Sequence, residues 1–274
     1  MNSATLEIQD LQVHYLTAGQ GEPVLLVHGW PTSSYLWRDI IPILAKTHYV
    51  IALDLPGFGQ SDKPTDIAYT YDFYASIFSG LLKYLNITSY NLVVHDLGGP
   101  LGLYWALASP NKVLRLALLN TLIYPDISWA TRLFLWSTYL PYFKTRLASR
   151  GGIKAAMRLG VENQAQLTRD TIKVYQEAFQ NEDDLRALLK SVQGVNTQGL
   201  KVIADRLSTF QNPVSLIYGE DDRILTDIAQ TMNRLKRDIP HAQVNPIPNC
   251  GHFLQEDDPQ RVGELLSTFL NTPT

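Results

Sequence analysis

The sequence predicts an α/β fold, in which a doubly wound, mostly parallel sheet carries an inserted helical lid. Short apolar runs without polar alternation, such as residues 24–27 and 214–218, are typical of strands covered on both faces. Stretches with helical periodicity alternate with these runs, which indicates βαβ units. This alternation is interrupted once, between about residues 124 and 210, where the patterns are helical and no good strand appears.

The predicted strands follow a consistent order along the chain. Residues 6–8 and 11–15 alternate apolar and polar side chains, which indicates an edge hairpin. The parallel strands are predicted at residues 24–27, 49–53, 92–94, 116–119 and 214–218. We therefore predict a core formed by residues 1–123 and 211–274, and a helical cap at 124–210.

Within the predicted cap, Trp129, Leu133 and Trp136 recur at i, i+4 and i+7, and so share one face of a helix. We interpret this stripe first as a packing face. In a second interpretation it forms a wall of a substrate pocket, and Trp136 is our candidate pocket residue from it.

Composition excludes several classes of protein. The chain has 274 residues, of which 45% are apolar and 18% charged, as is typical of a globular protein. The net charge of −3 and the lack of a basic stripe argue against a nucleic-acid partner. One cysteine and six scattered histidines suggest neither a disulfide framework nor a metal site. We expect no signal peptide, no membrane partner and a cytoplasmic location.

The residues that follow the predicted strands are the candidates for chemistry, because open α/β sheets bind ligands at the carboxyl ends of their strands. A sharp turn with two glycines follows the strand at 92–94, and acidic residues follow the strand at 214–218. A histidine stands near the chain end. These segments are 28–31, 54–62, 95–99, 219–222 and 249–252.

This ordered set of five loops resembles the α/β-hydrolase superfamily over nearly the whole chain. In that family a nucleophile on a strand-to-helix elbow is followed along the chain by an acid and a histidine. The resemblance implies that Asp96 is the nucleophile, Asp222 the acid and His252 the base. It also implies an oxyanion hole formed by the backbone N–H groups of Trp30 and Leu97. No cofactor is implied.

An aspartate nucleophile restricts the reactions that the site could catalyse. Attack on an ester carbonyl would give an anhydride, with little advantage over the substrate. Attack on an electrophilic sp3 carbon gives an alkyl ester of Asp96, which persists until His252, held by Asp222, activates a water molecule. The chain thus resembles the aspartate branch of the superfamily, which contains epoxide hydrolases and haloalkane dehalogenases.

The choice between these two activities depends on the leaving group. Dehalogenases usually carry Trp after the nucleophile and often Asn after His-Gly, whereas this chain has Leu97 and Trp30. Epoxide hydrolases use lid tyrosines as proton donors, and Tyr142 lies near the first of these positions. No tyrosine stands between Tyr175 and Tyr218 for the second. We favour epoxide opening, with hydrolysis of carbon–halogen bonds as the alternative.

Two further interpretations stay open. The chain could be a non-catalytic ligand-binding module with the hydrolase fold, in which Asp96 only caps a helix. It could also hydrolyse activated esters with Asp96 as a base. In the favoured interpretation the partner is a small apolar substrate, bound in a pocket formed by Trp30, Leu97 and Trp136.

Overall fold

In the computed structural model, which describes residues 1–272 and all of their side chains except that of Pro141, eight strands form one sheet. Their spatial order is β1-β2-β4-β3-β5-β6-β7-β8. The strands are β1 (Asn2–Ile8), β2 (Leu11–Ala18), β3 (Glu22–Val27), β4 (His48–Leu53), β5 (Tyr90–Asp96), β6 (Val113–Thr121), β7 (Val214–Gly219) and β8 (Gln243–Ile247). This architecture confirms the predicted fold class.

One end of the sheet is antiparallel, whereas the rest of it is parallel. β1 and β2 form the predicted antiparallel hairpin, with Leu6 opposite Val13. β2 then pairs antiparallel with β4, with Leu16 opposite Ala52. From β4 to β8 every pair is parallel. The central strands are buried on both faces, which explains their continuous apolar sequences.

Strand β8, at the edge of the sheet, was not predicted from the sequence. Gln243–Ile247 contains Pro246 and no apolar run, and it pairs only with β7. Proline is tolerated on an edge strand because one side of the strand needs no ladder hydrogen bond. Composition therefore could not predict this strand.

Six helices lie between β6 and β7: α4 (Trp129–Ser137), α5 (Pro141–Leu147), α6 (Arg150–Gly160), α7 (Arg169–Glu177), α8 (Glu182–Gln193) and α9 (Thr197–Arg206). Five of them begin after a Ser, Thr or Asn whose side chain accepts a backbone N–H of the first turn. They fall within residues 124–210, and the division of the chain into core and cap stays a prediction.

The other helices flank the sheet: α1 (Ile41–Leu44), α2 (Tyr71–Tyr84), α3 (Gly98–Ala106), α10 (Ile228–Asp238), α11 (Leu254–Asp257) and α12 (Pro259–Leu270). Short 3-10 turns occur at Ser34–Trp37, Pro110–Lys112 and Leu207–Thr209. Among the helices of residues 1–272, none has both the length and the apolar character that crossing a membrane requires.

A buried polar cluster joins the inserted helices to the rest of the fold. The Arg38 guanidinium donates to both oxygens of Glu256, at 2.6 and 2.7 Å, and the Tyr175 hydroxyl of α7 donates to the same carboxylate. Nearby, the Phe253 N–H donates to the carbonyl of Gly160, the last residue of α6. The inserted helices are thus attached to Phe253 and Glu256, which closely follow His252 along the chain.

Candidate active site

Asp96 lies on a tight turn between β5 and α3. Its backbone is left-handed, with φ of +49°, which is uncommon for a residue with a side chain. A Cβ atom at Gly98 would strike the His28 carbonyl, and one at Gly99 would strike the Thr121 side chain. Glycines at these two positions therefore allow α3 to begin directly against the sheet.

Backbone N–H groups hold the Asp96 carboxylate. The Trp30 N–H donates to Oδ1 at 2.6 Å, and the Leu97 N–H is a second donor to the carboxylate. Burial alone would raise the pKa of Asp96, but the charge of His252 and the Leu97 N–H outweigh it and lower the pKa below its ordinary value. A Cβ at Gly29 would collide with this carboxylate. Asp96 is therefore an ionised carboxylate, held by the two N–H groups that were predicted to form an oxyanion hole.

His252 lies between two carboxylates. Its Nδ1 is 2.8 Å from Asp222 Oδ2, and its Nε2 is 3.2 Å from Asp96 Oδ2. The second contact is an ion pair without good hydrogen-bond alignment. Burial would lower the pKa of His252, but Asp222 and Asp96 raise it to about 10. The imidazole is consequently protonated at neutral pH while Asp96 is ionised.

Besides His252, donors from two segments fix Asp222. Its Oδ1 accepts the N–H groups of Ile224 and Leu225, at 2.7 and 2.8 Å, and its Oδ2 accepts the Asn120 amide at 2.7 Å. Burial by itself raises the pKa of Asp222, but His252 and these donors lower it. Asp222 thus stays ionised although it is buried.

Asn120 is a site residue that the sequence analysis missed. It lies near the carboxyl end of β6 with φ of +30°, donates to Asp222, and accepts the Gly219 N–H on its Oδ1 at 3.0 Å. The available signal was an amide side chain at the end of an otherwise apolar strand. Its partners could not be identified, because they lie about 100 residues further along the chain.

The candidate residues open onto a cavity of about 1040 Å³. Asp96, His252, Trp30 and Leu97 line its floor. Mostly apolar side chains of the inserted helices form its walls, among them Phe134, Leu135, Leu147, Leu159 and Leu200. A largely apolar cavity beside an ionised carboxylate fits a small apolar substrate.

The prediction that Trp136 lines this pocket is wrong. Trp136 is 59% exposed and lies outside the cavity lining, whereas Phe134 and Leu135 of the same helix face the cavity. The stripe of Trp129, Leu133 and Trp136 forms the outer face of α4, so it is also not a packing face. Because α4 is apolar on both sides, the periodicity of its sequence could not tell which side faces inward.

Tyr142 and Trp30 both line the cavity. The Tyr142 ring is 66% exposed, and its hydroxyl accepts a hydrogen bond from Arg146 at 3.3 Å. The Trp30 ring is buried against Phe134, and its Nε1 has no hydrogen-bond partner among the described residues. The cavity lining thus includes one tyrosine, and a tryptophan whose buried indole N–H has no hydrogen-bond partner among the described residues.

Comparisons with known proteins identify the family to which the chain belongs. Residues 22–259 match the family model of the α/β-hydrolase fold. A haloalkane dehalogenase of Psychrobacter cryohalolentis is 30% identical over 97% of this chain and 89% of its own length. A cis-3-alkyl-4-alkyloxetan-2-one decarboxylase of Shewanella oneidensis is 32% identical over 94% of this chain and 85% of its own. The solved haloalkane dehalogenase from Bradyrhizobium elkani has a TM-score of 0.86 and 25% identity, covering 98% of this chain and 97% of its own.

The first prediction concerns Asn120. Replacing it (Asn120→Ala) leaves the buried Gly219 N–H unpaired and removes a donor from Asp222, so we expect a loss of about 2–4 kcal/mol in the free energy of unfolding, measured by urea denaturation. Asn86→Ala is the matched control, because Asn86 is exposed and also left-handed, with φ of +57°. Equal losses in the two variants would show that only backbone conformation matters at position 120.

The second prediction follows from the raised pKa of His252, about 10 against an ordinary 6.5. Folding favours the protonated imidazole, so its stabilisation is complete below about pH 6.5 and is lost as the pH rises towards 10. We expect the difference in melting temperature between the native protein and His252→Gln to shrink from pH 6 to pH 10. His241→Gln, at an exposed histidine, is the control. A difference that stays constant across this range contradicts the ion pair.

Proposed function

Since the chain belongs to the α/β-hydrolase fold family, in the branch of the haloalkane dehalogenases and epoxide hydrolases, we propose that it hydrolyses a substrate at an electrophilic sp3 carbon. The observation that carries this proposal is a carboxylate at the nucleophile position. Asp96 is ionised, faces an apolar cavity and lies 3.2 Å from His252. A carboxylate is a productive nucleophile toward saturated carbon, because the resulting ester can later be hydrolysed.

In the first step one oxygen of Asp96 displaces the leaving group. Oδ1 accepts the Trp30 N–H, whereas Oδ2 has only the poorly aligned ion pair with His252, so we assign the new C–O bond to Oδ2. The electron pair of the broken bond departs with the leaving group. The product is a neutral alkyl ester whose carbonyl oxygen, Oδ1, already lies in the oxyanion hole.

Ester formation itself prepares His252 for the second step. The resting imidazolium has two anionic partners, and alkylation removes the charge of one of them. The pKa of His252 therefore falls, and the imidazolium releases its proton. The proton goes to water when a halide has left, and to the Tyr142 phenolate when Tyr142 has protonated an epoxide oxygen. The neutral imidazole can then act as a base. Asp222 stays ionised and keeps Nδ1 oriented.

In the second step His252 takes a proton from water, and the hydroxide attacks the carboxyl carbon of Asp96. Negative charge develops on Oδ1, where the N–H groups of Trp30 and Leu97 stabilise it. The bond between the carboxyl carbon and the alkyl oxygen then breaks. The departing alkoxide takes the proton of the new carboxyl group and leaves as an alcohol. Asp96 is again a carboxylate, with one oxygen from water, and His252 is again protonated.

For the leaving group we propose an epoxide oxygen first. Such an oxygen departs as an alkoxide and needs a proton, and the Tyr142 phenol lines the same cavity as Asp96. Leu97 also stands where an indole donor for halide would be expected. Both features favour a leaving group that is protonated over one that departs as a bare halide.

Carbon–halogen hydrolysis is the second candidate because of Trp30. A departing halide needs N–H donors but no proton, and the buried Trp30 Nε1 has no partner among the described residues. The relatives from Psychrobacter and Bradyrhizobium are haloalkane dehalogenases by name. In this case Trp30 would supply the indole that position 97 lacks.

The third prediction tests the covalent step. In His252→Gln the ester cannot be hydrolysed, so we expect intact-mass spectrometry to show a stable adduct, mapped to Asp96, after incubation with 1,2-epoxyhexane, 1-bromobutane or a 3,4-dialkyl oxetan-2-one. The matched control Asp96→Asn/His252→Gln should give no adduct. Absence of any adduct across the panel favours a binding module. Turnover of an activated ester in 18O water without label in Asp96 favours the role of Asp96 as a base.

The fourth prediction separates the two leaving groups. With an epoxide, Tyr142→Phe should lower kcat about 100-fold and Trp30→Phe should change it little, since only the phenol supplies a proton. With a bromoalkane the order should reverse, because only the indole meets the halide. Diol and bromide release measure the two reactions. Loss of kcat for an epoxide in Trp30→Phe but not in Tyr142→Phe would contradict the first assignment.

A further inference from the structure

The outer face of α4 is apolar and exposed. Trp129, Leu133 and Trp136 are 77%, 53% and 59% exposed, and their spacing places them on one side of the helix. The opposite side of α4 lines the cavity with Phe134 and Leu135. A helix that is apolar on both sides is normally covered on both. The outer side of α4, which residues 1–272 leave exposed, therefore suits a binding partner.

The exposed apolar character extends from α4 to α6. Ten large apolar side chains are exposed among the described residues, and seven of them lie between positions 129 and 159. Such clustering marks an interaction site, whereas single exposed apolar residues need no explanation. The seven are Trp129, Leu133, Trp136, Tyr139, Tyr142, Phe143 and Leu159.

The same three helices are strongly basic. Residues 127–161 contain six Lys or Arg and no Asp or Glu, although the chain as a whole has a net charge of −3. All six are exposed, and none forms an ion pair with a carboxylate of residues 1–272. They are Arg132, Lys144, Arg146, Arg150, Lys154 and Arg158. We call these cations and the seven apolar side chains the aromatic–basic surface.

We propose that the aromatic–basic surface binds the surface of an anionic lipid bilayer. Trp and Tyr prefer the boundary between lipid headgroups and acyl chains, and Lys and Arg are attracted to anionic headgroups. Helices that combine both features bind in the plane of that boundary without crossing it. The proposal replaces the expectation from sequence that the protein has no membrane partner.

Charge argues against a second copy of this chain as the occupant. In a two-fold dimer the same patch meets itself, so six cations of one subunit would face six of the other. The segment 127–161 has no carboxylate to pair with them. A bilayer supplies many negative charges to the same patch and accepts the aromatic side chains between them.

The surface also surrounds one side of the cavity opening. Tyr142, Phe143, Arg146 and Leu159 are exposed and at the same time line the cavity. Binding through this surface would place the opening against the bilayer. Apolar molecules dissolved in the membrane could then enter the cavity without crossing bulk water.

The test is co-sedimentation of the full chain with vesicles of phosphatidylcholine containing about 30% phosphatidylglycerol, compared with phosphatidylcholine alone. Two variants probe the two halves of the surface: Trp129→Ser/Trp136→Ser, and Arg132→Gln/Lys144→Gln/Arg150→Gln/Lys154→Gln. None of these residues belongs to the proposed catalytic machinery. The matched control is Lys83→Gln/Tyr84→Ser/Lys112→Gln, which removes an exposed aromatic and two exposed cations away from the inserted helices.

We expect binding to anionic vesicles that weakens in high salt, and a loss of affinity of about tenfold or more in each of the two variants but not in the control. Circular dichroism should show that both variants fold, since the replaced side chains are exposed. Equal binding to neutral vesicles, or unchanged binding of both variants, overturns the proposal. So does a dimer of the native protein that becomes a monomer in the tryptophan variant.

Discussion

The contact between the buried Asp96 carboxylate and the protonated His252 imidazole determines most of the site's construction. An ionised carboxylate with only 14% of its side chain exposed is unfavourable unless donors and an opposite charge surround it. The Trp30 N–H supplies such a donor only because Gly29 lets the loop after β3 approach the carboxylate closely. The left-handed turn at Asp96 and the early start of α3 at Gly98 serve the same arrangement.

The positively charged His252 lies between two carboxylates, those of Asp96 and Asp222. This arrangement of three charges is stable because the Asp222 carboxylate has hydrogen-bond donors of its own. They are the Asn120 amide and the backbone N–H groups of Ile224 and Leu225. Loss of the Asp96 charge alone would leave an imidazole with one carboxylate partner. The pKa of His252 is therefore coupled to the chemical state of Asp96, and an acid and a base role become available to one side chain at different stages.

The sequence predicted the features that depend on local pattern. Strands buried on both faces were recognisable from continuous apolar runs, and the order of the loops pointed to Asp96, Asp222 and His252, which the structure brings together. Asn120 was missed because its importance arises from contacts between distant segments. β8 was missed because an edge strand with Pro246 lacks an apolar run. These failures concern tertiary contacts and edge position, on which local patterns carry little information.

The position of Trp136 could not be predicted for a different reason, which concerns both the cavity and the outer surface of α4. Helical periodicity identifies a face but not the direction in which it points, and α4 has apolar side chains on both sides. One side lines the cavity above Asp96, because the walls of the cavity come largely from the inserted helices. The aromatic stripe is consequently left on the outside, beside six cations that lack carboxylate partners in the described chain. An outer face of this composition is stable against a negatively charged, partly apolar surface, which water alone does not provide.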